Sequence, residues 1–156
     1  MNPLTFTYLI ILIVFSACES TNNNYYTFPE SKWSAKKIVN FDITTKDSLQ
    51  QTMTNISIRH NTSYKYQNII FFLHHSFNEK IISTDTIELL LAQDDGRWIG
   101  IGKSNIREFS KTLSPPKTYQ NGIHSFSLEL AMRDNTSVEL ESLCGITDIS
   151  LYLSKK

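Results

Sequence analysis

This 156-residue chain is short of cysteine, with two, of glycine, with five, and of proline, with four. It also has no prevailing charge, because 15 basic side chains balance 15 acidic ones. The charge balance and the absence of a basic cluster exclude the phosphate neutralisation that dominates nucleic-acid binding. The longest apolar stretch, residues 4 to 17, has 14 residues. At about 1.5 Å per residue it spans roughly 21 Å, short of a hydrocarbon core of about 30 Å, so it excludes a conventional spanning helix. Several catalytic and cofactor fingerprints are missing too. G-x-S-x-G, H-E-x-x-H and P-loop patterns do not occur, and the Gly-Ile-Gly at 100 to 102 has neither the third glycine nor the helix of a dinucleotide site. No cofactor and no small-molecule substrate are therefore expected.

What is present begins with the leader. A short apolar run at the N-terminus reads as the core of a secretory signal, and Phe15-Ser16-Ala17-Cys18 resembles a bacterial lipobox. In that motif small residues admit the peptidase to the bond before the cysteine, and the thiol forms a thioether to diacylglycerol. Phe15 replaces the commoner Leu, and the first eight residues lack Lys and Arg. The expectation is a signal peptide over 1–17 and lipidation at Cys18; the alternatives are an ordinary cleaved signal or an uncleaved anchor. Lipidation would leave Cys144 without a disulfide partner, so the fold must rest on its apolar core, within which Cys144 is expected to act as a small buried hydrophobe. After removal of the leader 139 residues remain, enough for one domain.

Residues 18–32 are polar and without apolar periodicity, the composition of a tether. From residue 33 to 156 the chain reads as short β-type runs. Ile56 and Ile58 share one face, with Asn55, Ser57 and Arg59 on the other. Residues 68 to 75 are apolar at consecutive positions, which predicts a strand with both faces covered. Residues 85 to 91 place Ile87, Leu89 and Leu91 together, and Asp95-Gly96 marks a hairpin turn into a second strand from residue 97. Gly100 and Gly102 fall on the face of Trp98, where either a neighbouring backbone approaches or the strand bends. The adjacent Pro115 and Pro116 predict a loop. His124, Phe126, Leu128 and Leu130 then alternate with polar residues. Ile149, Leu151 and Leu153 form the last apolar face. Residues 104 to 113 are the one segment with a helical alternative. Together these runs predict an all-β, antiparallel β-sandwich, jelly-roll-like in topology.

Candidate chemistry is thin. The rings of His74 and His75, adjacent on a strand, must point to opposite faces and cannot share a metal; the pattern suggests one at the sheet surface and one at its edge, and a site with His60 or His124 is the alternative. Asp94-Asp95-Gly96 lacks the further oxygen ligands of a calcium loop and reads as a turn. Exposed tyrosines and tryptophans in an envelope sandwich admit carbohydrate binding as an alternative function, against a core role for Trp98. The triplets Asp47-Ser48-Leu49 and Asp85-Thr86-Ile87 are similar to short O-glycosylation sites of exported Bacteroidota proteins.

The lipobox, "FDI" at 41 to 43, "ISIRHNTSYKYQNI" at 56 to 69, "DTIELLLAQDDGRWIGIG" at 85 to 102, "AMRD" at 131 to 134 and the closing "GITDISLYL" occur in that order. They resemble the gliding-motility lipoprotein GldH family of Bacteroidota over nearly the whole mature chain. Asp85, Thr86, Glu88, Gly96, Trp98, Gly100 and Gly102 are the most specific positions, a motif for interaction or structure. In the family a proline-containing loop commonly follows the segment at 68 to 75, and here residues 72 to 84 contain no proline. The resemblance implies a β-sandwich lipoprotein without enzymatic activity, tied to type IX secretion and docking to other envelope lipoproteins. Glu19-Ser20-Thr21 lacks the dense acidic run of surface-exported lipoproteins, which points to the periplasmic face of the outer membrane.

Overall fold

A computed structural model describes residues 25–46, 50–133 and 140–156. The lipobox, Cys18, and the triplet at 47 to 49 lie outside them. Within the described residues the chain forms eleven strands: β1 (Tyr25–Thr27), β2 (Lys32–Ser34), β3 (Val39–Thr45), β4 (Gln51–Asn61), β5 (Asn68–Phe77), β6 (Lys80–Leu90), β7 (Ile106–Thr112), β8 (Lys117–Thr118), β9 (Gly122–Leu130), β10 (Ser142–Cys144) and β11 (Ile146–Lys155). One sheet has the order β1-β11-β4-β7, with β8 also on β4; a second has the order β3-β9-β5-β6, and β10 and β2 form a small two-stranded sheet. The pairs β1/β11, β3/β9, β4/β7 and β5/β6 are nested and antiparallel. Nesting of this kind is a long hairpin rolled into two sheets, the expected jelly-roll order.

Side-chain alternation places the core between the sheets. Ile56, Ile58, Ile149 and Leu151 from one sheet meet Phe71, Leu89, Phe126 and Leu128 from the other, all essentially without solvent contact. Burial along β9 follows the period of two read from the sequence. The β5–β6 turn solves the missing proline simply. Asn78 and Glu79, between the paired Phe77 and Lys80, both have positive φ (48° and 64°), the backbone of a tight two-residue hairpin.

Several expectations are corrected. Residues 25 to 32 are part of the domain, not the tether, because β1 pairs with β11 and the chain then turns Phe28 and Trp33 into the core. Phe28 stacks on Trp33 at 5.1 Å, and the indole Nε1–H donates to the Lys37 carbonyl at 2.9 Å. Strand β5 is covered on one face only: among the described residues no layer lies over the outside of its sheet, and Phe72 is 37% exposed. Residues 106 to 112 form strand β7, not a helix. The continuation after Gly96 is no second strand but a crossover from β6 to β7, held by isolated bridges at Ala92/Trp98 and Ile101/Glu108. Cys144 is exposed rather than buried, since in β10 it is Leu143 that faces inward.

Candidate functional site

The residues singled out in the sequence separate into two groups. Asp85, Thr86 and Glu88 stand on β6, the edge strand of its sheet. Asp85 faces the interior side, opposite Leu73, while Thr86 and Glu88 face outward opposite Phe72 and Ile70. The outward carboxylate of Glu88 accepts a hydrogen bond from Asn68 Nδ2 at 2.5 Å. Asp85 accepts one from Ser83 Oγ at 3.3 Å.

Gly96, Trp98, Gly100 and Gly102 lie on the crossover. The turn is closed by the Gly96 N–H on the Gln93 carbonyl (2.9 Å) and the Gln93 N–H on the Arg97 carbonyl (2.8 Å), with Gly96 at φ 82°. The chain itself occupies both turn carboxylates. Asp94 accepts from Gln67 Nε2, and Asp95 from the Arg97 N–H and from Arg97 Nε at 2.7 Å. Beyond the turn, a Cβ on Gly100 would stand 2.5 Å from the Glu108 carbonyl oxygen, and one on Gly102 would overlap the Ile106 carbonyl oxygen. Of the two sequence alternatives, close backbone approach is the one observed. Trp98 is half-buried, not a central core residue; its ring meets His60 edge-on at 4.4 Å. The fully buried tryptophan is Trp33, which the sequence reading placed only at the domain boundary.

Sequence reasoning missed the histidine arrangement between the sheets. His74 is on the outer face, beside Thr84 and Glu129, while His75 lies inside and not at a sheet edge. His75 is 6% exposed, stacked on Phe126 at 4.4 Å, and its Nε2 lies 3.0 Å from His124 Nδ1. A carbonyl can only accept, so the 2.9 Å contact of His124 Nε2 with the Gln120 oxygen makes Nε2 the donor. His124 Nδ1 then accepts from His75 Nε2–H. His75, but not His124, lines a cavity of about 380 Å³ together with Ser83, Asp85, Thr86 and Lys117. Burial chiefly, then the positive charges of Lys117 and of His124 when protonated, push the His75 pKa down to about 4, against a smaller opposing effect of Asp85. The alternation of β9 at His124 was the signal available in the sequence; its meeting with His75 required the β5/β9 register.

His60 is fully buried under Trp98. Its Nδ1–H donates to the Asn61 carbonyl at 3.2 Å, and desolvation lowers its pKa. Among the described residues no three His, Cys, Asp or Glu side chains come together as a metal-ligand group.

Residues 20–153 match the family model described as GldH lipoprotein. A gliding motility lipoprotein GldH homolog of Christiangramia forsetii is 28% identical, over 96% of this chain and 94% of its own length. The gliding motility lipoprotein GldH of Flavobacterium johnsoniae is 25% identical, over 95% of this chain and 93% of its own. Among solved structures, the insecticidal delta-endotoxin Cry8Ea1 of Bacillus thuringiensis superposes with a TM-score of 0.41 at 12% identity, over 79% of this chain and 19% of the toxin, an overlap too loose to carry any statement about activity. The match across both sheets and the crossover shows that this chain belongs to the GldH lipoprotein family.

Proposed function

We infer that this lipoprotein is a non-enzymatic component of the gliding motility machinery, associated with type IX secretion, and that it docks an extended strand of another envelope lipoprotein along β6. The carrying observation is the edge itself. β6 is an eleven-residue strand at the open side of its sheet, so alternate backbone N–H and C=O groups along it point away from β5. Ile81, Ile82 and Leu90 on the same strand are 62%, 57% and 52% exposed. Long, apolar, unprotected edges are ordinarily blunted in proteins that remain alone, and strand addition gives such an edge a partner. Asp85, Thr86 and Glu88, which belong to the stretch that carries the family resemblance, occupy the same strand, where they would set which partner strand fits.

Anchoring supports this reading. Cys18 precedes Tyr25 of β1 by seven residues, a reach of at most about 25 Å at roughly 3.6 Å per residue. A diacylated Cys18 in the periplasmic leaflet of the outer membrane would hold the domain close to other lipid-anchored proteins. The test is site-specific photocross-linking in the native host, with the cross-linker at Thr86 on β6 and, as a control, at Asn40 on the opposite edge strand β3. Adducts to an envelope lipoprotein from position 86, lost in Ile82→Lys, are expected. Adducts from position 40 alone, adducts unaffected by Ile82→Lys, or none from position 86 would overturn strand docking at β6.

A further inference from the structure

The outer face of the other sheet, β1-β11-β4-β7, bears an arrangement the docking edge does not use. Its outward residues fall into cross-strand rows. One row is Thr27, Asp148, Arg59 and Glu108; the next is Tyr25, Ser150, Ser57 and Ser110; the third brings Tyr152, Asn55 and Thr112 into line. The three serines are short, so the middle row is a floor. The charged row forms one wall, Tyr152 stands in the other, and Tyr25 closes one end. Together they line a trough of about 440 Å³. With strands about 4.8 Å apart, three steps from Tyr25 to Ser110 extend roughly 14 Å.

We propose that this trough binds a neutral oligosaccharide. Charge decides against an anion. Among the described residues that line it, the single cation, Arg59, is already taken by Glu108, Nε to Oε2 at 2.9 Å, and Asp148 adds a further negative charge. A phosphate or uronate would therefore meet carboxylates without an unpaired partner. Geometry decides against an extended peptide, because a sheet face presents no free backbone edge. What the trough does present suits vicinal hydroxyls. Ser57, 8% exposed at the floor, donates to Glu108 Oε1 at 2.9 Å, so serine and arginine together hold that carboxylate in one orientation. Thr27 Oγ1 does the same for Asp148 Oδ1 at 2.6 Å. Each fixed carboxylate retains lone pairs for a sugar hydroxyl, and its orientation is already set before binding. Among the described residues the hydroxyls of Ser110, Ser150, Tyr25 and Tyr152 have no hydrogen-bond partner, and each can donate or accept. Tyr25, 68% exposed, and Tyr152 offer ring faces for the C–H side of a pyranose.

The experiment uses the full lipidated chain in a detergent that carries no sugar headgroup. Binding of cellohexaose, chitohexaose and mannohexaose is measured by calorimetry, with hexagalacturonate as the anionic comparison. At least one neutral hexasaccharide should bind, the anionic one at least tenfold more weakly. Tyr25→Ala and Glu108→Gln should each reduce the affinity tenfold or more; Tyr25, at an exposed edge, can be changed without unfolding the domain, and the urea midpoint checks this for both. Binding of none of the neutral probes, equal binding of hexagalacturonate, or full affinity in both variants would overturn the assignment. Ile82→Lys should leave sugar binding unchanged, which separates this site from the β6 edge.

Discussion

Ile101 and Glu108 exchange both of their backbone hydrogen bonds, at 2.9 Å and 2.7 Å, between the crossover and β7. Their approach is possible because Gly100 and Gly102 flank Ile101 and carry no Cβ to meet the opposing chain. The clasp pins the crossover that leaves β6 of one sheet onto β7 of the other, so a local demand for glycine has a consequence for the whole sandwich.

Gly102→Ala should therefore destabilise the protein by about 2–4 kcal/mol, since the added methyl meets backbone and not a movable side chain. Gly96→Ala should cost only about 1–2 kcal/mol: its Cβ would enter open space, and the penalty is that of positive φ alone. Urea denaturation of both variants gives the order; equal losses would mean that the clasp adds nothing.

The two tryptophans should differ in the same assay. Trp33→Ala removes a fully buried ring that stacks on Phe28 and should cost about 3–5 kcal/mol. Trp98→Ala loses a half-buried ring and its edge contact with His60, for about 2 kcal/mol. A larger loss at Trp98 than at Trp33 would contradict this packing.

Acid should weaken the fold through His75. Its folded pKa of about 4 lies below the ordinary 6.5, so between these values the unfolded chain binds the additional proton. Stability from this group is complete above pH 6.5, declines as pH falls through the interval and is lost at about 4. His60, also lowered by burial, acts in the same direction. Glu108 contributes separately below 4.5, where protonation would release it from Arg59. The urea midpoint should fall from pH 6.5 to 4, and His75→Gln should flatten that decline while leaving the Glu108 contribution in place.

Cys144 should react with a thiol-specific reagent in the folded protein at a rate near that of an exposed thiol, because it points outward from β10. Slow labelling that accelerates in urea would instead place it inside.

Much of this fold was legible because the decisive signals are local. The alternation of His124, Phe126, Leu128 and Leu130 states which face of β9 is buried without reference to any partner, as a strand's side chains must alternate. Asp95-Gly96 similarly announces its turn through the conformational freedom of one residue. Other features depend on chain segments far apart. Tyr25–Thr27 reads as a polar tether until β11, more than 120 residues later, supplies its hydrogen bonds. The apolar run of β5 cannot reveal that burial alternates along it and that Phe72 falls on the exposed side. His75 and His124 become neighbours only through the β5/β9 register. The serine floor between Tyr25 and Ser110 likewise comes from four strands whose order in the sheet is not their order in the chain. Sequence by itself determined the strand faces and the tight turns, since these follow from alternation and backbone sterics within a few residues. Tertiary structure alone decided the nested pairing, the covered and open faces and the residues brought together across them, because burial and hydrogen bonding between distant segments exist only once the sheets have closed.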